Sequence, residues 1–133
     1  MATQYLNAAL THYRHVSNAA AFETEPQKLI EMLLAGVLDR LAKARGCMTR
    51  GERPEKLHYI SSAISIIEHL RLVVDVPAGG ALAENLVRLY EYMLRRLPAA
   101  NVADDVSVID EVSSLLREIK SAWDCLPSGA TRH

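Results

Sequence analysis

Four stretches of the chain carry apolar side chains three or four residues apart, each over about twenty positions, and the breaks between them are short and marked by glycine and proline. No stretch alternates apolar and polar residues as a half-buried strand does, so the fold class is all-α. The first stretch runs from about residue 25 to 48, with Leu29, Leu33, Val37, Leu41, Ala44 and Met48 on one face. Thr24 is its expected N-cap, with Pro26 in the first turn and Gln27 as a capping-box partner. Gly46 and the loop Thr49-Arg-Gly-Glu-Arg-Pro54 are expected to end it.

The second stretch, about 54–74, aligns Leu57, Ile60, Ile64, Ile67, Leu70 and Val74, and Pro77-Ala-Gly-Gly80 is expected to stop it. A third, about 81–97, carries Leu82, Leu86, Leu89, Tyr90, Met93 and Leu97, with Pro98 expected just beyond its end. The fourth, about 104–124, opens on Asp104 and Asp105 and turns Val108, Ile109, Val112, Leu115, Leu116, Ile119 and Trp123 inward. Helices of about 20 residues are about 30 Å long, and the connections are too short to return along that length. Consecutive helices are therefore antiparallel, giving an up-down four-helix bundle over residues 24–126. Residues 1–23 are weakly apolar at helical spacing and are expected to form a short mobile N-terminal helical cap, while residues 127–133 are read as a disordered tail.

Composition narrows the function. Fifteen Lys and Arg stand against sixteen Asp and Glu, a formal charge of −1, so there is no basic field for a nucleic acid, and aromatic residues at 5% offer few stacking rings. The longest apolar run, 64–76, is interrupted by Glu68, His69, Arg71 and Asp75, which argues against membrane insertion. With no secretory signal at the amino terminus and two cysteines, Cys47 and Cys125, lacking metal-site or disulfide-scaffold spacing, a cytoplasmic location with reduced thiols is expected.

Signs of catalysis are few. Glu55 and His58 have the Glu-x-x-His spacing of di-iron bundles, but no second such pair exists to complete a site, and His12 with His15 lacks a third ligand. No Walker, G-x-S-x-G, G-x-G-x-x-G or H-E-x-x-H pattern is present. The chain is read as a non-enzyme without cofactor or metal. What it does have is more apolar surface than four core stripes need: Ile30, Leu34 and Leu38, then Ile66, Leu72 and Val73, then Leu94. A wide core, a homodimer interface and a groove for an amphipathic partner helix all stay open as explanations.

Three runs carry a resemblance. Pro26-Gln-Lys-Leu29-Ile30-Glu-Met32-Leu33, then Ala63-Ile64-Ser-Ile66-Ile67-Glu68-His-Leu70-Arg71, and above all the block with Leu89-Tyr90, Tyr92-Met93, Arg96-Leu97 and Ala100-Asn101 resemble the bacterial flagellar export chaperone family FliS. The fourth stretch, with Glu111-Val112, Leu115-Leu116 and Ala122-Trp123, is similar to that family's final helix. Two positions depart from the family pattern: Glu25-Pro26 stands where Ser-Pro is usual, and Leu33-Leu34-Ala35-Gly36 lacks the usual ring and acid.

The resemblance implies a cytosolic chaperone that binds the disordered carboxy-terminal segment of flagellin, prevents premature polymerisation and delivers it to a component of the flagellar export gate. Release would come from competition or handover. Candidate partner-binding residues are Leu10, Tyr13, Ile30, Leu34, Ile64, Leu72, Tyr90, Met93, Leu94 and Leu97. An alternative on the same fold is an adaptor or regulator of flagellar assembly that binds a partner other than flagellin. The resemblance also implies that the amino-terminal segment, with Tyr13, covers part of the groove until cargo arrives. Deleting residues 1–16 is then expected to leave the bundle folded by circular dichroism while changing flagellin affinity or docking at the export gate; a molten truncation would count against this.

Overall fold

The computed structural model describes residues 26–125. The expected cap at 1–23 with Leu10 and Tyr13, the N-cap Thr24, the pair His12 and His15, and the tail at 127–133 lie outside the described residues. Four helices make up almost all of the rest: α1 (Pro26–Arg50), α2 (Arg53–Leu72), α3 (Val76–Ala103) and α4 (Val106–Asp124). No strand occurs among the described residues.

The helices form a closed ring in which each packs on its sequence neighbour and α4 returns to α1, with α3 and α4 making the loosest contact. Side-chain ties fix the directions. Late in α1, Arg45 pairs with Asp110 at the start of α4 (2.8 Å), and at the opposite end Trp123 donates from Nε1 to the Gln27 carbonyl (3.3 Å). The bundle is thus up-down and antiparallel, as the short connections require.

The helices are longer, and the connections shorter, than the glycine and proline positions suggest. Gly46 lies inside α1, and the stop is Gly51, whose φ of 71° places it in the left-handed region. Its N–H bonds the Met48 carbonyl (3.4 Å) and the N–H of Glu52 bonds that of Cys47 (2.9 Å), the pairing of a Schellman motif. In α3, Pro98 sits on the exposed side and the helix continues through it, because Leu97 and Ala100 bury fully on the inner face. The stop comes at Asp104, a left-handed C-cap (φ 52°), so Asp104 closes α3 and does not open α4. The N-cap of α4 is Asp105, which accepts from the Ser107 N–H (3.1 Å).

The core is the row Leu29, Leu33, Leu34, Val37, Leu41, Ala44 and Met48 of α1 set against Ile60, Ala63, Ile67 and Leu70 of α2, Tyr90, Met93, Leu97 and Ala100 of α3, and Val108, Ile109, Val112 and Leu116 of α4. Each large side chain buried in this way contributes about 1.5–3 kcal/mol. Three residues expected in the stripes face water instead: Leu57 (53% exposed), Leu82 (79%) and Leu89 (36%). On α2 the inner row is Lys56, Ile60, Ala63, Ile67 and Leu70, which keeps Ile60, Ile67 and Leu70 of the expected stripe and takes Lys56 and Ala63 in place of Leu57 and Ile64.

Lys56 is therefore a buried cation, only 6% exposed. Its ammonium donates to the Asn101 carbonyl (2.8 Å) and to Asp104 Oδ1 (2.5 Å), tying the first turn of α2 to the last turn of α3. That hydrogen bond, ahead of any other influence, holds the Asp104 carboxyl below its ordinary range. A carboxyl lowered by folding adds stability above its unfolded pKa and loses it as pH falls through the folded one. Lys56→Met is expected to cost about 1–3 kcal/mol at neutral pH, through the Asn101 carbonyl left unpaired and the lost ammonium bonds. It should also shrink the loss of stability below about pH 4. Urea denaturation across a pH series measures both.

Candidate functional site

At the end of the bundle where α2 passes into α3 and α4 finishes, the helices do not close over one another. Tyr92 Oη donates to Glu111 Oε2 (2.7 Å) and Arg96 lies 3.7 Å from Glu111 Oε1, so the middle of the α3–α4 seam is clasped by polar groups. Counting back along α3 from Arg96 and Tyr92, the same side of the helix carries Leu89 and Leu82, and these two are exposed. Beyond the clasp the seam is open.

The opening is a cleft of about 280 Å³. Ile30 of α1 and Leu70 of α2 line it together with Val73 and Val74 of the connection, Leu82, Ala83, Leu86 and Tyr90 of α3, and Ile119 and Trp123 of α4. Tyr90 is 2% exposed, and burial pushes its phenol well above the ordinary value, so it stays neutral. Asp75 is the one charged residue in the lining. A second cleft, about 250 Å³, lies on the other side of Val74 and is lined by Arg71, Leu72, Val74, Val76, Pro77 and Val87.

Local sequence explains why the wall between the clefts is thin. α2 ends at Leu72 with Val73 as C-cap, and Asp75 starts a new turn by accepting the Ala78 N–H on Oδ1 (3.3 Å), with Pro77 in that turn. Pro77-Ala-Gly-Gly80 is therefore not the end of α2 but the first turn of α3 and a break within it. Gly80 has φ 58° and ψ −135°, a conformation that only glycine adopts without strain, and a Cβ at Gly79 would lie 2.5 Å from the Ala83 Cβ. The break sets Ala83 inward and leaves Leu82 at the cleft rim.

Of the candidate residues read from sequence, the first cleft brings together Ile30 and Tyr90, and the second holds Leu72 (51% exposed). Leu34, Met93 and Leu97 are fully buried core residues, and Ile64 and Leu94 are partly buried against the core away from either cleft. Leu82, Asp75, Ile119 and Trp123 are absent from the sequence-derived set. Ile119 and Trp123 sit on the apolar stripe of α4 and look like core by spacing; only the splay of α3 from α4 distinguishes them.

Other candidate chemistry does not assemble. Glu55 and His58 are both exposed on the first turns of α2, where His58 meets the ring of Tyr59 edge-on (centroids 5.2 Å apart). No three His, Cys, Asp or Glu side chains converge on a metal-sized site among the described residues. Cys47 is buried, and burial, followed by nearby Glu52, raises its thiol pKa and keeps it protonated. Cys125 is exposed. No helix among the described residues is long and apolar enough to cross a membrane.

Comparison with known proteins bears on this arrangement. The family model described as flagellar protein FliS matches residues 8–129. The chain is 50% identical over 121 residues to the flagellar secretion chaperone FliSB of Pseudomonas aeruginosa, covering 90% of this chain and 96% of that one. It is 39% identical to the flagellar secretion chaperone FliS of Salmonella typhimurium, over 90% of each chain. It is 35% identical to that of Vibrio cholerae, over 92% of this chain and 90% of the other. A match over nearly the whole chain, by model and by relatives alike, makes this protein a member of the FliS family.

Proposed function

We propose that this protein is an export chaperone that binds the disordered carboxy-terminal segment of flagellin in the cytoplasm, keeps it from polymerising and delivers it to the flagellar secretion apparatus. Membership of a family whose relatives carry the name flagellar secretion chaperone supports the export role. The observation that supports flagellin binding most directly is the open apolar cleft, rimmed by a leucine that is 79% exposed, at the unclasped end of the α3–α4 seam. A chain segment that becomes helical only when packed against neighbours needs an apolar surface to fold on, and a groove between splayed helices supplies one. A chaperone acting this way needs neither cofactor nor catalytic group, because binding and competition do the work.

Isothermal titration with a peptide spanning the carboxy-terminal segment of the host flagellin tests this, with circular dichroism on the same samples. Saturable one-to-one binding with a gain of helix is the expected outcome. Leu82→Ala should weaken binding about 5- to 30-fold, the worth of about 1–2 kcal/mol of buried leucine surface. The thermal midpoint should stay unchanged, because Leu82 packs on little in the free protein. No binding to the peptide or to monomeric flagellin would overturn the assignment and favour an adaptor with another partner.

A further inference from the structure

Two charged side chains beside the clefts each hold back one polar atom that is shielded from solvent and has no partner among the described residues: Arg71 Nε and Asp75 Oδ2. Arg71, in the last turn of α2, reaches Glu91 with Nη1 (3.5 Å), and this leaves Nε unused. Asp75 gives Oδ1 to the cap of α3 and leaves Oδ2 unused. Leaving such atoms unpaired is costly, and folded proteins pair nearly all of them.

The placement of the two atoms suggests what pairs them. Arg71 lines the smaller cleft and Asp75 the larger, and Val74, between them in sequence, lines both. One group is a donor and the other an acceptor, one positive and one negative. A cationic side chain would suit Asp75 and repel Arg71, and an acidic one would do the reverse. A neutral group that presents a carbonyl and an N–H together suits both, and the peptide unit is such a group.

We propose that Arg71 and Asp75 recognise the main chain of the bound flagellin segment where it crosses, extended, from one cleft to the other over Val74. This rests on the flagellin reading above. Arg71 Nε donates to a carbonyl of the segment, and Asp75 Oδ2 accepts an N–H. Apolar side chains to either side of the crossing enter the two clefts. Access comes from the strap that follows Val74: residues 76–82 are all exposed, and the break at Gly80 uncouples the first turn of α3 from the rest of the helix. A segment with so few buried contacts opens at low cost. Because main chain is read there, the crossing tolerates sequence variation in the cargo.

The test pairs protein variants with peptide backbone variants. Asp75→Asn keeps an oxygen for the α3 cap and puts a donor in place of Oδ2; Arg71→Lys keeps the charge facing Glu91 and removes Nε. Each is expected to bind the carboxy-terminal flagellin peptide about tenfold more weakly, with an unchanged thermal midpoint. Replacing the peptide's amides by esters one at a time should reveal one position that weakens wild-type binding by a similar factor and has no further effect on Asp75→Asn. If every ester that weakens wild-type binding weakens Asp75→Asn by the same factor, this proposal is overturned and the flagellin reading stands, whatever the two variants do alone. A wild type that does not bind the peptide overturns both.

Discussion

The buried row of α1 serves two neighbours at once. From Leu29 to Met48 it faces α2 on one side and α4 on the other, and fully buried Ala44 and Ala63 allow α1 and α2 to approach closely. With α2 and α4 both committed to α1, α3 is held mainly by α2 and packs only loosely on α4. The bundle's weakest seam is therefore fixed by where its strongest packing lies. The clefts open at one end of that seam because the polar clasp at Glu111 holds only its middle.

The two ends of the bundle are built differently. At one end Lys56, Asp104, Asn101 and the Arg45–Asp110 pair join all four helices through polar bonds, and both helix stops there use left-handed residues, Gly51 and Asp104. At the other end Trp123 donates its indole N–H to the Gln27 carbonyl, Arg71 faces Glu91 at 3.5 Å, and Asp75 caps α3. Helix ends held by buried polar bonds open less readily than ends without them, so the first end is the firmer of the two.

Much of this was legible in the sequence, and each miss has a physical cause. The all-α class, the antiparallel order and the stripes of α1 and α4 follow from spacing alone. On α2 residue type favours a row through Leu57 and Ile64 over a second through Lys56 and Ala63. The structure takes the second because alanine permits close approach and Asp104 with the Asn101 carbonyl can satisfy a buried lysine. On α3 the inner row likewise runs through Ala83 and Ala100, which a reading weighted towards large apolar residues passes over. Gly46 and Pro98 misplaced two helix ends because packing overrides propensity where the opposite face is buried. The cleft was illegible because it depends on the distance between two helices, which no periodicity encodes.

Trp123 is the single tryptophan of the chain, and it stands in the cleft wall. Trp123 is partly exposed, so its emission is sensitive to the water at that site. The molecule thus carries its own optical probe where a ligand would enter: filling the cleft dries the ring and shifts its fluorescence to the blue, without any label, in the intact chain.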